Sequence, residues 1–330
     1  MNKTFIIAEL SANHNHNINI ARKTIEAAKE AGADAVKLQT YTADTMTIDC
    51  DNEYFRINQG TLWDGTTLYK LYQEAYTPWD WHRELFDYTR SLGIEIFSTP
   101  FDKTSVDFLE SLNVPRFKIA SFEAMDYSLI AYAARLHKPM IISVGVSGLD
   151  EIQEAVDACK AVGNSNITIL KCTSAYPAKL ENMNILTIND MRQRFESQGV
   201  KVGLSDHSMN NEPVIAAVTL GAVVIEKHLI LDRSLGGPDA EFSLNVEEFK
   251  AMVQSVRNTE KVLGQVNYDI NRQNRKFARS LFVTADIKKG EVFTEKNIRS
   301  IRPGDGMHPK YLKDILGKKA EKDYYYGEPF

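Results

Sequence analysis

Cysteine is scarce. There are three, Cys50, Cys159 and Cys172, an odd number scattered along 330 residues. That fits a reducing cytoplasm better than a disulfide framework. Cys172 follows an apolar run and is either a reactive thiol or, the commoner case, a buried inert one. Long apolar runs are lacking as well: none approaches the roughly 18 residues of a membrane span. No charged-then-apolar leader precedes the first strand pattern, so neither membrane insertion nor a signal peptide is expected. Basic runs stop after a few residues and the net charge is −5, which argues against a general nucleic-acid surface. No Gly-x-Gly-x-x-Gly follows the first strand pattern, so the dinucleotide fingerprint is missing. What remains, 43% apolar and 25% charged residues, is the composition of an ordinary globular chain.

At this length one large domain plus a small one is the first expectation. Strand patterns lie at Phe5–Glu9, Ala35–Gln39, Glu95–Ser98, Phe117–Ile119, Pro139–Ser143, Ile167–Lys171, a short run opening at Val202, and Val223–Ile225. They alternate with helical patterns at Ile18–Ala31, Pro78–Leu92 (with the proline in its first turn), Lys103–Leu112, Ser128–Arg135, Leu149–Val162, Asn184–Gln198, Glu212–Leu220 and Val246–Leu263. Such alternation calls for a parallel sheet with both faces covered. Eight repeats over about 260 residues match a (β/α)8 TIM barrel. An open doubly wound sheet is the alternative, and the missing fingerprint counts against it. Thr42–Thr77 is a polar and aromatic insertion, longer than an ordinary loop, of the kind that often acts as a lid.

Barrel enzymes place their chemistry at the C-terminal ends of the strands. Here those ends carry Glu9, Lys37 with Gln39, Ser98 with Thr99, Lys118 with Ser121 and Glu123, Ser143, Lys171 with Tyr176, Ser205 with His207, and Glu226 with His228. Any one of them could be a loop residue in water, but all eight ends are polar. Lys37 and Lys118 directly follow apolar runs, which favours anion binding over solvated surface lysines. His207 and His228 end consecutive strands, and neighbouring strands lie about 4.8 Å apart. They are therefore either a divalent-metal pair or two polar core or loop histidines.

After residue 263 the chain changes character. Residues 264–276 are polar and read as a linker. Residues 277–330 form a small unit with a strand at Ser280–Thr284, a turn at Lys289-Gly290 and a helical start at Thr294. So short a segment buries little core; it would serve as a dimerisation module or as a lid over the active site.

The ordered motifs IAELSANH (Ile7–His14), GADAVKLQTY (Gly32–Tyr41), FSTPF (Phe97–Phe101), FKIASFE (Phe117–Glu123), KCTSAYP (Lys171–Pro177), GLSDHS (Gly203–Ser208), IEKH (Ile225–His228) and GGPDAEFS (Gly236–Ser243) resemble the sialic acid synthase family. These nonulosonic acid synthases condense phosphoenolpyruvate with an N-acetylated six-carbon sugar. Ala278–Gly304 resembles that family's C-terminal antifreeze-like SAF (β-clip) domain. The resemblance thus implies a TIM-barrel catalytic domain at 1–263, a linker at 264–276 and a SAF domain at 277–330. SANH, ASFE and KCTS are similar to the pseudaminic acid synthase branch. In that branch the acceptor is 2,4-diacetamido-2,4,6-trideoxy-altrose and the products are pseudaminic acid and phosphate. An N-acetylneuraminate or legionaminate synthase with a manno-configured acceptor is the alternative.

The resemblance also implies roles. His207 and His228 would bind a divalent metal, Mn²⁺ first, with Mg²⁺ or Co²⁺ as alternatives. Lys37, Thr99, Lys118, Ser121, Ser143 and Ser205 would hold phosphoenolpyruvate. Glu9, Gln39, Tyr176 and Asp239 would face the sugar. Arg302 would reach the sugar's N-acetyl end from the other subunit of a domain-swapped homodimer. Ser174 stands where neuraminate synthases carry Asn near the phosphate, and Val144 where they carry Thr, so contacts at these two positions depart from the family pattern. Glu9 and Glu123 are the candidates to handle the protons of the attacking water. A catalytically silent sugar-binding protein on the same barrel is the competing class. The presence of His207, His228, Lys37, Lys118 and Arg302 together argues for the enzyme.

Overall fold

The computed structural model describes residues 3–269 and 272–330. Eight parallel strands close into a barrel in sequence order: β1 (Phe5–Glu9), β2 (Ala35–Thr40), β3 (Glu95–Pro100), β4 (Phe117–Ile119), β5 (Met140–Ser143), β6 (Ile167–Cys172), β7 (Lys201–Asp206) and β8 (Val224–His228). The last strand pairs back onto the first, Glu9 opposite His228. The TIM barrel expected from the alternation is therefore what the chain forms. Among the described residues the helices of this unit are α1 (Ile18–Ala31), α2 (Ala43–Met46), α3 (Leu68–Ala75), α4 (Trp79–Ser91), α5 (Lys103–Ser111), α6 (Tyr127–Ala134), α7 (Leu149–Ala161), α8 (Thr187–Phe195), α9 (Glu212–Thr219) and α10 (Val246–Leu263). No helix among the described residues is long and apolar enough to cross a membrane.

Strand side chains alternate between two faces with a period of two, and this alternation builds the site. Ile6, Ala8, Val36, Leu38, Ile96, Phe117, Ile119, Ile142, Ile169, Leu204 and Ile225 belong to the large cluster between strands and helices. Ile7, Ala35, Phe97, Ile141, Leu170 and Val224 form a separate cluster inside the barrel. Gly203 belongs to this level, because a Cβ there would lie 2.5 Å from the Val224 carbonyl oxygen, so β7 and β8 meet at a tight waist. Two residues on from each inner apolar residue come Glu9, Lys37, Thr99, Ser143, Cys172, Ser205 and Glu226, all buried. One further step up are Gln39, His207 and His228. The outward-facing cluster brackets Lys118 on both sides, so Lys118 also points inward.

Three local expectations shift. The pattern ended β8 at Ile225 because Glu-Lys-His reads as polar; pairing with β1 carries the strand on to His228. Pro78 caps α4 from outside instead of lying in its first turn. Only Thr187–Phe195 of the 184–198 pattern is α-helix, and a 3₁₀ turn at Glu196–Gln198 follows. The insertion is not structureless: it holds α2 and α3, and Asp64 accepts the backbone N–H groups of Gln59, Gly60 and Thr61. Its two ends meet where Trp79 Nε1 donates to the Tyr41 carbonyl at 3.0 Å.

A second compact unit begins at Gln265. It contains α11 (Arg272–Arg275), β9 (Ser280–Val283), β10 (Ile298–Ile301) and α12 (Leu312–Ile315), with β9 and β10 antiparallel. Leu281, Val283, Ile287, Phe293, Ile298 and Ile315 make its small core. The helix start expected at Thr294 is a single turn. The Asn297 side chain takes the Thr294 N–H, and the chain then straightens so that Ile298 can pair with Val283. Tertiary pairing overrides the local preference.

Candidate active site

The inward layer is a buried charge cluster. Lys37 pairs with Glu9, donates to Thr99 Oγ1 at 3.1 Å and lies 3.9 Å from Glu226 Oε1. Lys118 Nζ is 3.8 Å from the same Glu226 oxygen, which also accepts from Ser205 Oγ at 3.1 Å. Burial would raise Glu226, but Lys118 and Lys37 outweigh it and hold this carboxyl below its usual range. Burial pulls Lys118 down. Glu226 is thus the anionic centre between two buried lysines. Its position in an apolar-then-charged strand end, IEKH, marked it as a polar strand end, but no role was assigned to the side chain.

Beside Lys118 sits a cradle of small groups. Ser121 Oγ accepts from the Gly145 backbone N–H at 2.8 Å and from Ser174 Oγ at 2.9 Å. Ser143 Oγ is buried without a hydrogen-bond partner. Hydroxyls, a backbone N–H and an ammonium gathered in one place suit an anion such as a phosphate or carboxylate. A methyl group on Gly145 would overlap Ser174 Oγ and come within 2.8 Å of Ser121 Oγ. Gly145→Ala should therefore force both hydroxyls out of the cradle. We expect the KM for the anionic substrate to rise about tenfold or more, one lost charge-assisted hydrogen bond costing about 1.5–3 kcal/mol, with little change in melting temperature. Steady-state kinetics with the second substrate saturating reads this; an unchanged KM would move the anion elsewhere.

The two histidines face each other at the mouth, ring centroids 5.2 Å apart and inclined at 61°. His207 Nδ1 lies 3.1 Å from the Thr173 carbonyl. A carbonyl only accepts, so Nδ1 carries a proton, and in the neutral ring Nε2 keeps its lone pair. This carbonyl contact is the usual way a metal-binding imidazole is oriented. Burial would lower His207, but the Cys172 thiol 3.8 Å away and the Thr173 carbonyl raise it, and Cys172 falls in return. His228 is pushed well below its ordinary value by burial and by His207 and Lys37, so it is neutral. Its Nδ1 is buried with no hydrogen-bond partner. Two inward imidazoles, one pre-oriented and one with an orphaned nitrogen, fit a divalent cation with room for other ligands. No group of three or more His, Cys, Asp or Glu side chains suited to a metal exists among the described residues.

Of the remaining expected residues of the barrel unit, Glu9, Gln39, Glu123, Tyr176 and Asp239 line the same mouth. Glu9 Oε1 accepts from the Ser11 N–H at 3.0 Å and from Gln39 Nε2 at 3.2 Å. Gln39 also donates to Ser11 Oγ at 2.9 Å, and Ser11 in turn donates to Asp239. Glu123 has one carboxyl oxygen buried without a partner, and burial pushes its pKa up to about 7 against the pull of Lys118. Tyr176 packs 4.5 Å from the His207 ring and 5.0 Å from Phe242, which also lies 5.0 Å from His228. Val144 is buried beside Ser143. Arg302 belongs to the second unit, where it is exposed. Lys171 points out of the barrel and bonds the Cys172 carbonyl and Thr173 Oγ1. Phe242, and Trp63 and Tyr72 from the insertion, are site residues that the sequence did not reveal. Trp63 packs 5.5 Å from Tyr176, Tyr72 packs 5.7 Å from Tyr41, and the Glu123 charge raises the Tyr72 hydroxyl's pKa behind the larger effect of burial.

Comparison with known proteins gives the same picture. Residues 24–268 match the model of the NeuB family, and residues 278–330 match the SAF domain. A pseudaminic acid synthase of Helicobacter pylori is 50% identical over 96% of this chain and 93% of its own. An N,N'-diacetyllegionaminic acid synthase of Campylobacter jejuni is 36% identical over 98% of each. The crystal structure of the spore coat polysaccharide biosynthesis protein SpsE of Bacillus subtilis superposes with a TM-score of 0.69 at 35% identity, covering 99% of this chain and 94% of that one.

Proposed function

The chain belongs to the NeuB family, and from that premise we propose that it is a pseudaminic acid synthase, condensing phosphoenolpyruvate with 2,4-diacetamido-2,4,6-trideoxy-altrose and water to give pseudaminic acid and phosphate. The observation that carries this reading is the histidine pair set beside a lysine-and-hydroxyl cradle inside one barrel mouth. The 50% identity to a pseudaminic acid synthase, against 36% to a legionaminic acid synthase, supports the branch.

Lys118, Ser121, Ser143, Ser174 and the Gly145 N–H hold the phosphate and carboxylate of phosphoenolpyruvate, with Lys37, Thr99 and Ser205 beneath. His207 and His228 hold a divalent cation, Mn²⁺ first and Mg²⁺ or Co²⁺ as substitutes, which when bound polarises the acceptor's aldehyde oxygen. The phosphoenolpyruvate C3 then forms a bond to the aldehyde carbon, whose oxygen takes up a proton. Water adds at C2 and gives a proton to a base, and the tetrahedral adduct expels phosphate by C–O cleavage. Gln39, Tyr176 and Asp239 orient the sugar.

Of the two carboxylates, Glu123 suits proton transfer better. Each has one buried oxygen without a hydrogen-bond partner, but that of Glu9 is ion-paired with Lys37 while its other oxygen accepts from Ser11 and Gln39, whereas Glu123 has no ion pair among the described residues. With its pKa raised to about 7, Glu123 acting as base predicts a rate that rises with pH through neutrality. Glu123→Gln should flatten that limb and lower kcat about 10²–10⁴-fold. An unchanged limb would transfer the role elsewhere. Burying this carboxylate also costs stability increasingly between the ordinary carboxyl range and pH 7, the penalty being absent below it.

Arg302 is assigned to the acceptor's N-acetyl end, delivered by the partner copy of a domain-swapped homodimer. Three free thiols suit a cytoplasmic enzyme. The test is phosphate release from phosphoenolpyruvate with Mn²⁺, comparing the altro sugar, the manno-derived diacetamido sugar and N-acetylmannosamine. Release with the altro sugar alone supports the reading; release with a manno sugar alone overturns the branch; silence with all three in metal-loaded protein favours a binding protein.

A further inference from the structure

The insertion between β2 and α4 brings side chains to the mouth that the reaction has not yet used, Trp63 among them. Trp63 is half-buried, and its indole Nε1 donates to the Pro238 carbonyl at 2.9 Å, next to Asp239. Its ring lies 5.5 Å from Tyr176 and 6.3 Å from Phe242. The aromatic lining therefore begins at the two histidines, passes through Tyr176 and Phe242, and ends at Trp63. The one polar atom of the indole is engaged by Pro238, so what it offers the mouth is ring carbon.

We propose that Trp63 is a specificity-determining residue, the apolar far wall against which the C6 methyl group of a 6-deoxy amino sugar packs. The proposal rests on the functional reading above and deepens it. An acceptor whose C1 aldehyde meets the histidine pair carries C6 at the opposite end of its chain, five bonds away. Along the lining from His207, the Tyr176 ring comes first, 4.5 Å from the imidazole, and the Trp63 ring next, 5.5 Å from Tyr176. A hydroxyl buried against ring carbon gives up water and finds no partner there, whereas a methyl group loses nothing. An apolar wall rejects an added hydroxyl by about a hundredfold at most, so the preference is real but bounded.

The experiment measures kcat/KM for the 6-deoxy diacetamido altro sugar and its 6-hydroxy counterpart, with phosphoenolpyruvate saturating, in wild type, Trp63→Ala and Trp63→Phe. We expect wild type to prefer the 6-deoxy sugar by roughly 10- to 100-fold. Trp63→Ala should erode that preference about tenfold and leave the KM for phosphoenolpyruvate unchanged. Trp63→Phe, which keeps an apolar ring but loses the bond to Pro238, should retain it. Equal losses with both sugars in Trp63→Ala, or a Phe variant behaving like the Ala variant, would make Trp63 a mere fastener of the insertion and overturn the proposal. Wild-type turnover of a manno-configured acceptor and of neither altro sugar would show the functional reading itself to be wrong, before any variant is compared.

Discussion

His228→Ala is expected to bind Mn²⁺ more than about a hundredfold more weakly than wild type, because a pair of protein ligands loses half its number. Phosphate release should fall at least about a thousandfold, since Lewis-acid polarisation supplies several kcal/mol and each 1.36 kcal/mol is tenfold in rate. Folding should be little affected. His228 is buried and neutral, and its Nδ1 makes no hydrogen bond whose loss would be felt. The three readouts separate the roles: metal titration, phosphate release and melting temperature. A metal-free variant with full activity would remove the histidine pair from the chemistry. A collapse in melting temperature with normal metal affinity would make His228 a core residue.

Lys227→Met should have the largest effect on stability. Lys227 and Asp206 face away from the barrel interior, and both side chains are fully buried. Their Cα atoms are register partners on β7 and β8. Lys227 Nζ bonds Asp206 Oδ2 at 2.5 Å and also the Ser208 carbonyl. Removing the lysine leaves a buried carboxylate without its counter-ion, held only by the Ser208 N–H, which costs about 3–5 kcal/mol. For a unit of this size the melting temperature should drop roughly 10 °C. The double variant Asp206→Leu/Lys227→Met should recover much of the loss, because an apolar pair of similar volume is often no worse than a buried ion pair. Failure of the double variant to recover would mean that Ser208, not Asp206, is the partner that matters. Asp206 and Lys227 immediately precede His207 and His228 in sequence, so the geometry of the pair also bears on where both imidazoles point.

The barrel and most of its mouth were legible because a closed parallel sheet imposes a period of two. Once Ile7, Ala35, Ile141 and Val224 face inward, Glu9, Lys37, Ser143 and Glu226 must as well. A polar residue at the end of an apolar run is then visible in the sequence. Trp63, Tyr72 and Phe242 were not, since they reach the mouth from a loop, the short α3 and a 3₁₀ turn outside the strands, whose placement is decided by tertiary contacts. An aromatic residue within a polar stretch carries no period to say which way it points. Glu226 was seen as a strand end but not as the counter-ion of two lysines, because the pairing crosses from β8 to β2 and β4. The misread start at Thr294 has the same cause, a local preference overruled by pairing with a distant strand.

The insertion's ends are tied where Trp79 bonds Tyr41, and its interior is held by its own turn around Asp64. It leaves the barrel and returns at nearly the same point. Lengthening or replacing such a closed excursion adds little entropic cost, since each doubling of length costs only about 0.6 kcal/mol. Residues 42–77 thus form an exchangeable cassette: evolution or design can trade one mouth-lining segment for another while the histidine pair and the lysine-and-hydroxyl cluster, which belong to the barrel, stay where they are.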